Sequence, residues 1–166
     1  MKPGGLQVIM APQVLIIMGS KSDLPVGQKA LDTLKELGIS CEIMVASAHR
    51  TPKLVAELVE KSNAKVFIAI AGLSAALPGA VAAHTVRPVI GVPVSGKVNL
   101  DSVLSVVQMP PGIPVAAVGL DRGENAGILA AQILAVSDGA IEKKLLDHRK
   151  EQEKKVREDS AGLGVK

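Results

Sequence analysis

Val14-Leu15-Ile16-Ile17-Met18 is an apolar run with no alternation of polar and apolar positions, and it stops at Gly19. A strand wetted on one face alternates. A strand that does not must be covered on both faces, as in a parallel sheet flanked by helices. The same sign recurs at Val66 to Ile70 and at Val89 to Val92. Between the runs, apolar residues fall at helical spacing. Leu24, Gly27, Ala30, Leu31, Leu34 and Leu37 lead up to Gly38, and Leu54, Val55, Leu58 and Val59 follow Pro52. Cys41 to Val45 adds a strand, Asp101 to Val107 a short helix and Pro114 to Leu120 a fifth strand. Glu124 to Val136 is an alanine-rich helix whose small side chains permit close packing. Parallel neighbours need crossovers, which are right-handed by rule. The expected fold is α/β: a three-layer α/β/α sandwich on a parallel five-stranded sheet.

At 166 residues the chain suits one domain with one core. Residues 1–12, with Pro3, Gly4, Gly5 and Pro12 in no period, read as a leader without a fold role, and 13–160 as the domain. From about Asp138 the chain turns to a charged helix carrying Ile141, Leu145 and Leu146 on one face, and 161–166 is a tail. That stripe is too narrow to build a core, so it is expected to meet a neighbouring subunit. No apolar run reaches the ~18 residues of a membrane span, and Leu6 to Met10 is too short for a secretory core segment. A cytoplasmic protein with no membrane partner is expected. The lone Cys41 agrees, and is expected to be a small buried core residue.

A net charge of +3 admits an anionic partner, but the charges alternate in sign and form no basic stripe. Phe67 is the sole aromatic residue, which excludes stacking platforms for nucleic acid and a flavin sandwich. The ligand class that remains is an anionic small molecule.

Chemistry concentrates where strands hand over to helices. Ser47-Ala48-His49-Arg50-Thr51-Pro52 has Thr51 at an N-cap position and Pro52 at the first helical position, and it exposes a hydroxyl, an imidazole and a guanidinium together. Gly19-Ser20-Lys21-Ser22-Asp23 offers a tight turn, two hydroxyls and the N–H groups of a helical first turn; Asp23 either bonds ribose hydroxyls or caps the helix. Gly72-Leu73-Ser74-Ala75-Ala76-Leu77-Pro78-Gly79 keeps small residues where a backbone approaches a ligand or packs against the sheet. Carboxyl ends of strands are where open α/β sheets bind ligands.

Together with Ser105-Val106-Val107-Gln108-Met109-Pro110, these segments resemble the PurE family of purine biosynthesis over about Val14 to Leu146. The resemblance implies a flavodoxin-like fold, a homo-octamer and no metal or organic cofactor. It also implies N5-carboxyaminoimidazole ribonucleotide as substrate, with carboxylate moving from the exocyclic nitrogen to C4 of the imidazole and CO2 as the intermediate. Ser20, Asp23 and Arg50 match nucleotide-binding positions, Ser22 and Ser47 match hydroxyls on the phosphate side, and Ser74, Ala75, Ala76 and Leu77 fall in the substrate-binding corner. His49 matches the general acid/base. Where the bacterial mutases read Gly-Gly-Ala-Ala-His-Leu-Pro-Gly, this chain has Ala76 in place of the second active-site His. Backbone N–H groups around Ser74 to Leu77 are expected to compensate by holding the carboxylate or CO2. His84 is displaced roughly 80° around a helix and ~12 Å along it, so it is no substitute. His148 belongs to the charged tail. The alternatives are direct carboxylation of aminoimidazole ribonucleotide by CO2 and, outside enzymes, a flavodoxin-like binding or signalling module.

Overall fold

A computed structural model describes residues 11–163. Its strands are β1 Val14–Met18, β2 Cys41–Val45, β3 Val66–Ala71, β4 Val89–Pro93 and β5 Ala116–Ala117, all parallel in the order β2-β1-β3-β4-β5. The helices are α1 Leu24–Glu36, α2 Pro52–Lys61, α3 Leu77–Ala82, α4 Asn99–Val107, α5 Gly123–Ala135 and α6 Gly139–Gly162.

The alternation missing from the sequence is present in space. Ile16, Met18, Ile68, Ile70, Ile90 and Val92 face the layer of α1 and α5. Leu15, Ile17, Phe67, Ala69 and Ala71 face the opposite layer, where Val55 of α2, Val81 of α3 and Val106 of α4 meet them. Every residue of β1, β3 and β4 is buried, which is the physical reason these strands read as unbroken apolar runs.

The edges of the sheet depart from expectation. The fifth strand shrinks from Pro114–Leu120 to Ala116–Ala117. Pro114 has no N–H for a ladder, pairing exists on the β4 side through Ile90↔Ala116 and Gly91↔Ala117, and both alanines are exposed, so little burial holds a longer strand. At the other edge β2 exposes Met44 and Val45. Cys41 there is half-buried, not a full core residue, and its burial still raises the thiol pKa against the opposing pull of Lys35.

The C-terminal helix is capped by Asp138, whose Oδ1 accepts the N–H groups of Ala140 (3.0 Å) and Ile141 (3.3 Å). Its apolar stripe is spent largely on its own domain: Ile141 is buried and Leu145 packs on the core, while Leu146 is 54% exposed. Lys144 Nζ donates to Leu37 O at 2.8 Å, fastening α6 to the end of α1. The expected leader lies outside the described residues except for Ala11 and Pro12, and the helix runs through Gly162, two residues into the expected tail.

Candidate active site

β1 has β2 on one side and β3 on the other, so this is where the strand order reverses. The chain leaving β1 turns to α1 in one layer, and the chain leaving β3 turns to α3 in the other. Their separation opens a crevice at the carboxyl ends of the strands.

On the β1 side, Ser20 caps a single 3₁₀ turn, Lys21–Asp23. Ser20 Oγ accepts the N–H of Ser22 at 3.3 Å, and Asp23 Oδ2 accepts the N–H of Ser20 at 3.0 Å, a reciprocal capping box. Ser22 Oγ also donates to Ser20 Oγ at 3.0 Å. Asp23 is buried, and burial pushes its carboxyl pKa up despite the Ser20 N–H, the Ser22 hydroxyl and the Arg50 charge, which pull it down. Of the two roles open to Asp23, capping is the one seen directly.

On the β2 side, Ser47 N–H donates to Thr51 Oγ1 at 2.9 Å, and Thr51 Oγ1 donates to Ser47 O at 3.2 Å. Thr51 therefore occupies the N-cap position without a side-chain cap, its hydroxyl being turned back to brace the corner. Pro52 opens α2 as expected. Ser47 Oγ accepts from Arg50 N–H (3.2 Å) and Arg50 Nε (3.3 Å), and Arg50 Nη2 donates to Gly19 O at 2.8 Å. The guanidinium thus ties the first two corners together, and its Nη1 has no hydrogen-bond partner among the described residues. His49 is exposed, and among the described residues its ring has no hydrogen-bond partner.

On the β3 side, Ser74 adopts φ +48° and its N–H donates to Asp101 Oδ2 at 3.0 Å. Ala76 N–H donates to Ser74 O. Of the four N–H groups from Ser74 to Leu77, these two are engaged within the protein. Ala75 departs from expectation. It is fully buried in the core, because a methyl group in a tight turn fits the packed side as readily as the open one. Ala76 is exposed and Leu77 is buried at 2% exposure.

The three corners enclose a cavity of about 350 Å³, within the range of small-molecule sites. Every residue given a catalytic or substrate-binding role from the sequence borders it except Ala75, whereas Lys21, Thr51, Pro52, Pro78, Gly79 and the Ser105–Pro110 segment do not. Gly19, Ala48, Ala71, Gly72 and Leu73 border it too and carried no polar signal to be found by. Leu73, 76% exposed, is an apolar side chain at the mouth. His84 lies outside, its Nδ1 3.0 Å from Glu60 Oε1, and His148 lies outside on α6.

The chain matches the family described as AIR carboxylase over residues 13–155. It is 61% identical over 144 residues to the N5-carboxyaminoimidazole ribonucleotide mutase of Methanocaldococcus jannaschii, across 86% of this chain and 92% of the relative. It is 48% identical over 161 residues to the mutase of the same description from Bacillus subtilis, across 93% and 99%. The crystal structure of Treponema denticola PurE superposes with a TM-score of 0.83 at 32% identity, across 92% of this chain and 98% of that one.

Proposed function

The chain belongs to the AIR carboxylase (PurE) family, and we propose that it is an N5-carboxyaminoimidazole ribonucleotide mutase of purine biosynthesis. The observation that carries this reading is an exposed, unengaged His49 imidazole in one crevice with the Arg50 guanidinium and the hydroxyls of Ser20, Ser22 and Ser47. The guanidinium and hydroxyls hold the ribonucleotide phosphate, and the imidazole transfers protons. The N–C bond of the carbamate breaks, CO2 leaves and the exocyclic nitrogen takes a proton from His49. C4 then forms a bond to the same CO2, and its proton passes to the imidazole, so the residue ends as it began.

A second reading is favoured by Ala76, which leaves methyl where the bacterial mutases carry imidazole: CO2 from solution is added directly to aminoimidazole ribonucleotide. Purified protein given each ribonucleotide, with and without bicarbonate and followed by ultraviolet absorbance, separates the two. Turnover of the N5-carboxy compound without bicarbonate is expected. Bicarbonate-dependent turnover of aminoimidazole ribonucleotide alone would replace mutase by carboxylase.

Arg50→Lys is expected to raise KM by about tenfold with a smaller change in kcat. One ammonium cannot donate to Gly19 O and Ser47 Oγ and still offer a planar end to phosphate. An unchanged KM would remove Arg50 from the phosphate role.

We propose that the protein works in the cytoplasm as a homo-octamer. Among the described residues no helix is long and apolar enough to cross a membrane. Leu100 and Leu104 on α4 are 66% and 38% exposed, and Val86 projects fully beside a groove of about 500 Å³ that Ile113 also lines. Apolar surface of this kind is usually covered by another chain. Light scattering is expected to give eight times the chain mass; a monomer at micromolar concentration would overturn the assembly.

A further inference from the structure

Ser74 and Asp121 are the non-glycine residues with positive φ among those described, at +48° and +60°. Side chains disfavour this region, so each must be held there by its surroundings. Both stand at the carboxyl end of the sheet; Asp121 is tied through its own carboxylate to the segment that joins β4 to α4, and Ser74 through the carboxylate of Asp101 to the first turn of α4.

Asp121 Oδ1 accepts the N–H of Ser95 at 2.8 Å, its own N–H donates to Pro93 O at 2.9 Å, and its carbonyl accepts Lys29 Nζ at 3.3 Å. The Ser95 end of the segment is thereby fixed to the turn before α5. At the other end, Asp101 in the first turn of α4 reaches across to the N–H of Ser74, 27 residues away in sequence. Among the described residues this is the one hydrogen bond from α4 to the rim formed by Gly72 to Leu77. The helix itself is seated by buried Ser102 and Val106, so the carboxylate is presented from a fixed base. Leu77 is anchored in the core and β3 ends at Ala71. Between them Ala75 is buried and the Ala76 N–H bonds Ser74 O, while the Ser74 N–H, at the midpoint, is held from outside the stretch by Asp101 alone among the described residues.

We infer that Asp101 is a positioning residue: its carboxylate holds Ser74 in the left-handed conformation and so sets where the rim of the cavity stands relative to His49. A charged acceptor on an otherwise solvent-facing N–H is what that role requires. The inference rests on the proposed activity only for its kinetic consequence.

Asp101→Ala removes the acceptor, whereas Asp101→Asn keeps a carbonyl oxygen of the same reach. With the mutase assay, Asp101→Ala is expected to lower kcat/KM by about tenfold or more, since small displacements of a positioned group carry costs of that order. Asp101→Asn is expected to stay within about threefold of wild type, a neutral acceptor being weaker than a charged one but not absent. In parallel, hydrogen–deuterium exchange of a peptide covering 72–77 is expected to speed up by about tenfold in Asp101→Ala, with peptides of α1 and α5 unchanged. Wild-type exchange at the rim in Asp101→Ala, or equal damage from both substitutions, would overturn the inference. So would a faster rim with unchanged kcat/KM. If wild-type protein turns over neither ribonucleotide, the functional reading fails, and the exchange comparison still decides whether Asp101 holds Ser74.

Discussion

His49→Asn is expected to remove turnover by at least a hundredfold while product binding, measured by calorimetry, stays within about threefold of wild type; general acid/base groups contribute 10²–10⁴-fold, and a group acting only on protons leaves ground-state binding intact. The geometry supports such a clean separation. His49 has no hydrogen bond within the described structure, so its replacement disturbs no neighbour, and Asn keeps polarity and approximate size without exchanging a proton. The groups assigned to phosphate, Arg50 and the serines, are bonded to one another and to Gly19 but not to His49. A variant retaining more than about a hundredth of the wild-type rate would take proton transfer away from this residue.

Gly123→Ala is expected to destabilise the fold by about 3 kcal/mol, the upper part of the range for overpacking. In an exposed helix the same change stabilises by about 0.5–1 kcal/mol. The sign reverses here because a Cβ at Gly123 would stand 2.0 Å from Val26 O and 3.0 Å from Val26 C, and these are backbone atoms of α1. No rotamer can relieve a clash between two backbones. The helices could separate only by losing the contact in which Ala30, Ala126 and Ala130 are fully buried. A chain of this size loses about 2–4 °C of Tm per kcal/mol, so a fall of about 6–12 °C is expected by circular dichroism. Gly139→Ala, where a Cβ meets nothing within 4 Å, is the control and should leave Tm unchanged or raise it by a few degrees at most, about 1–4 °C. Equal midpoints for the two variants would contradict the close α1–α5 approach.

Legibility in the sequence followed burial. β1, β3 and β4 bury every residue, and their unbroken apolar runs gave the parallel sheet, the bounds of β1 and the starts of β3 and β4, each of which runs one residue further than its run. The Ala116–Ala117 strand buries nothing, so neither its length nor its edge position left a trace, and the apolar residues around it suggested a longer strand. The corners after β1 and β2 were legible because polar side chains follow abruptly on apolar runs. Their internal bonding was not: Ser20 and Asp23 cap each other, and Thr51 braces Ser47, with the same residue types that would also face a ligand. The corner after β3 was the least legible. Its residues are small and nearly equivalent in sequence, and which of Ala75 and Ala76 turns inward depends on a left-handed Ser74. That conformation in turn depends on Asp101, a partner that no local pattern announces.

The bonds from Arg50 to Gly19 and Ser47 have a consequence for how tightly an anion can be held. A free arginine surrenders about 1.5–2 kcal/mol of rotamer entropy when a ligand immobilises it. Here much of that ordering is made by bonds within the protein as the two strand ends come together, so an anion would meet a side chain already narrowed by Gly19 and Ser47. The affinity of the crevice is then governed mainly by the difference between hydrating the anion and bonding it, with little lost to freezing the residue that receives it.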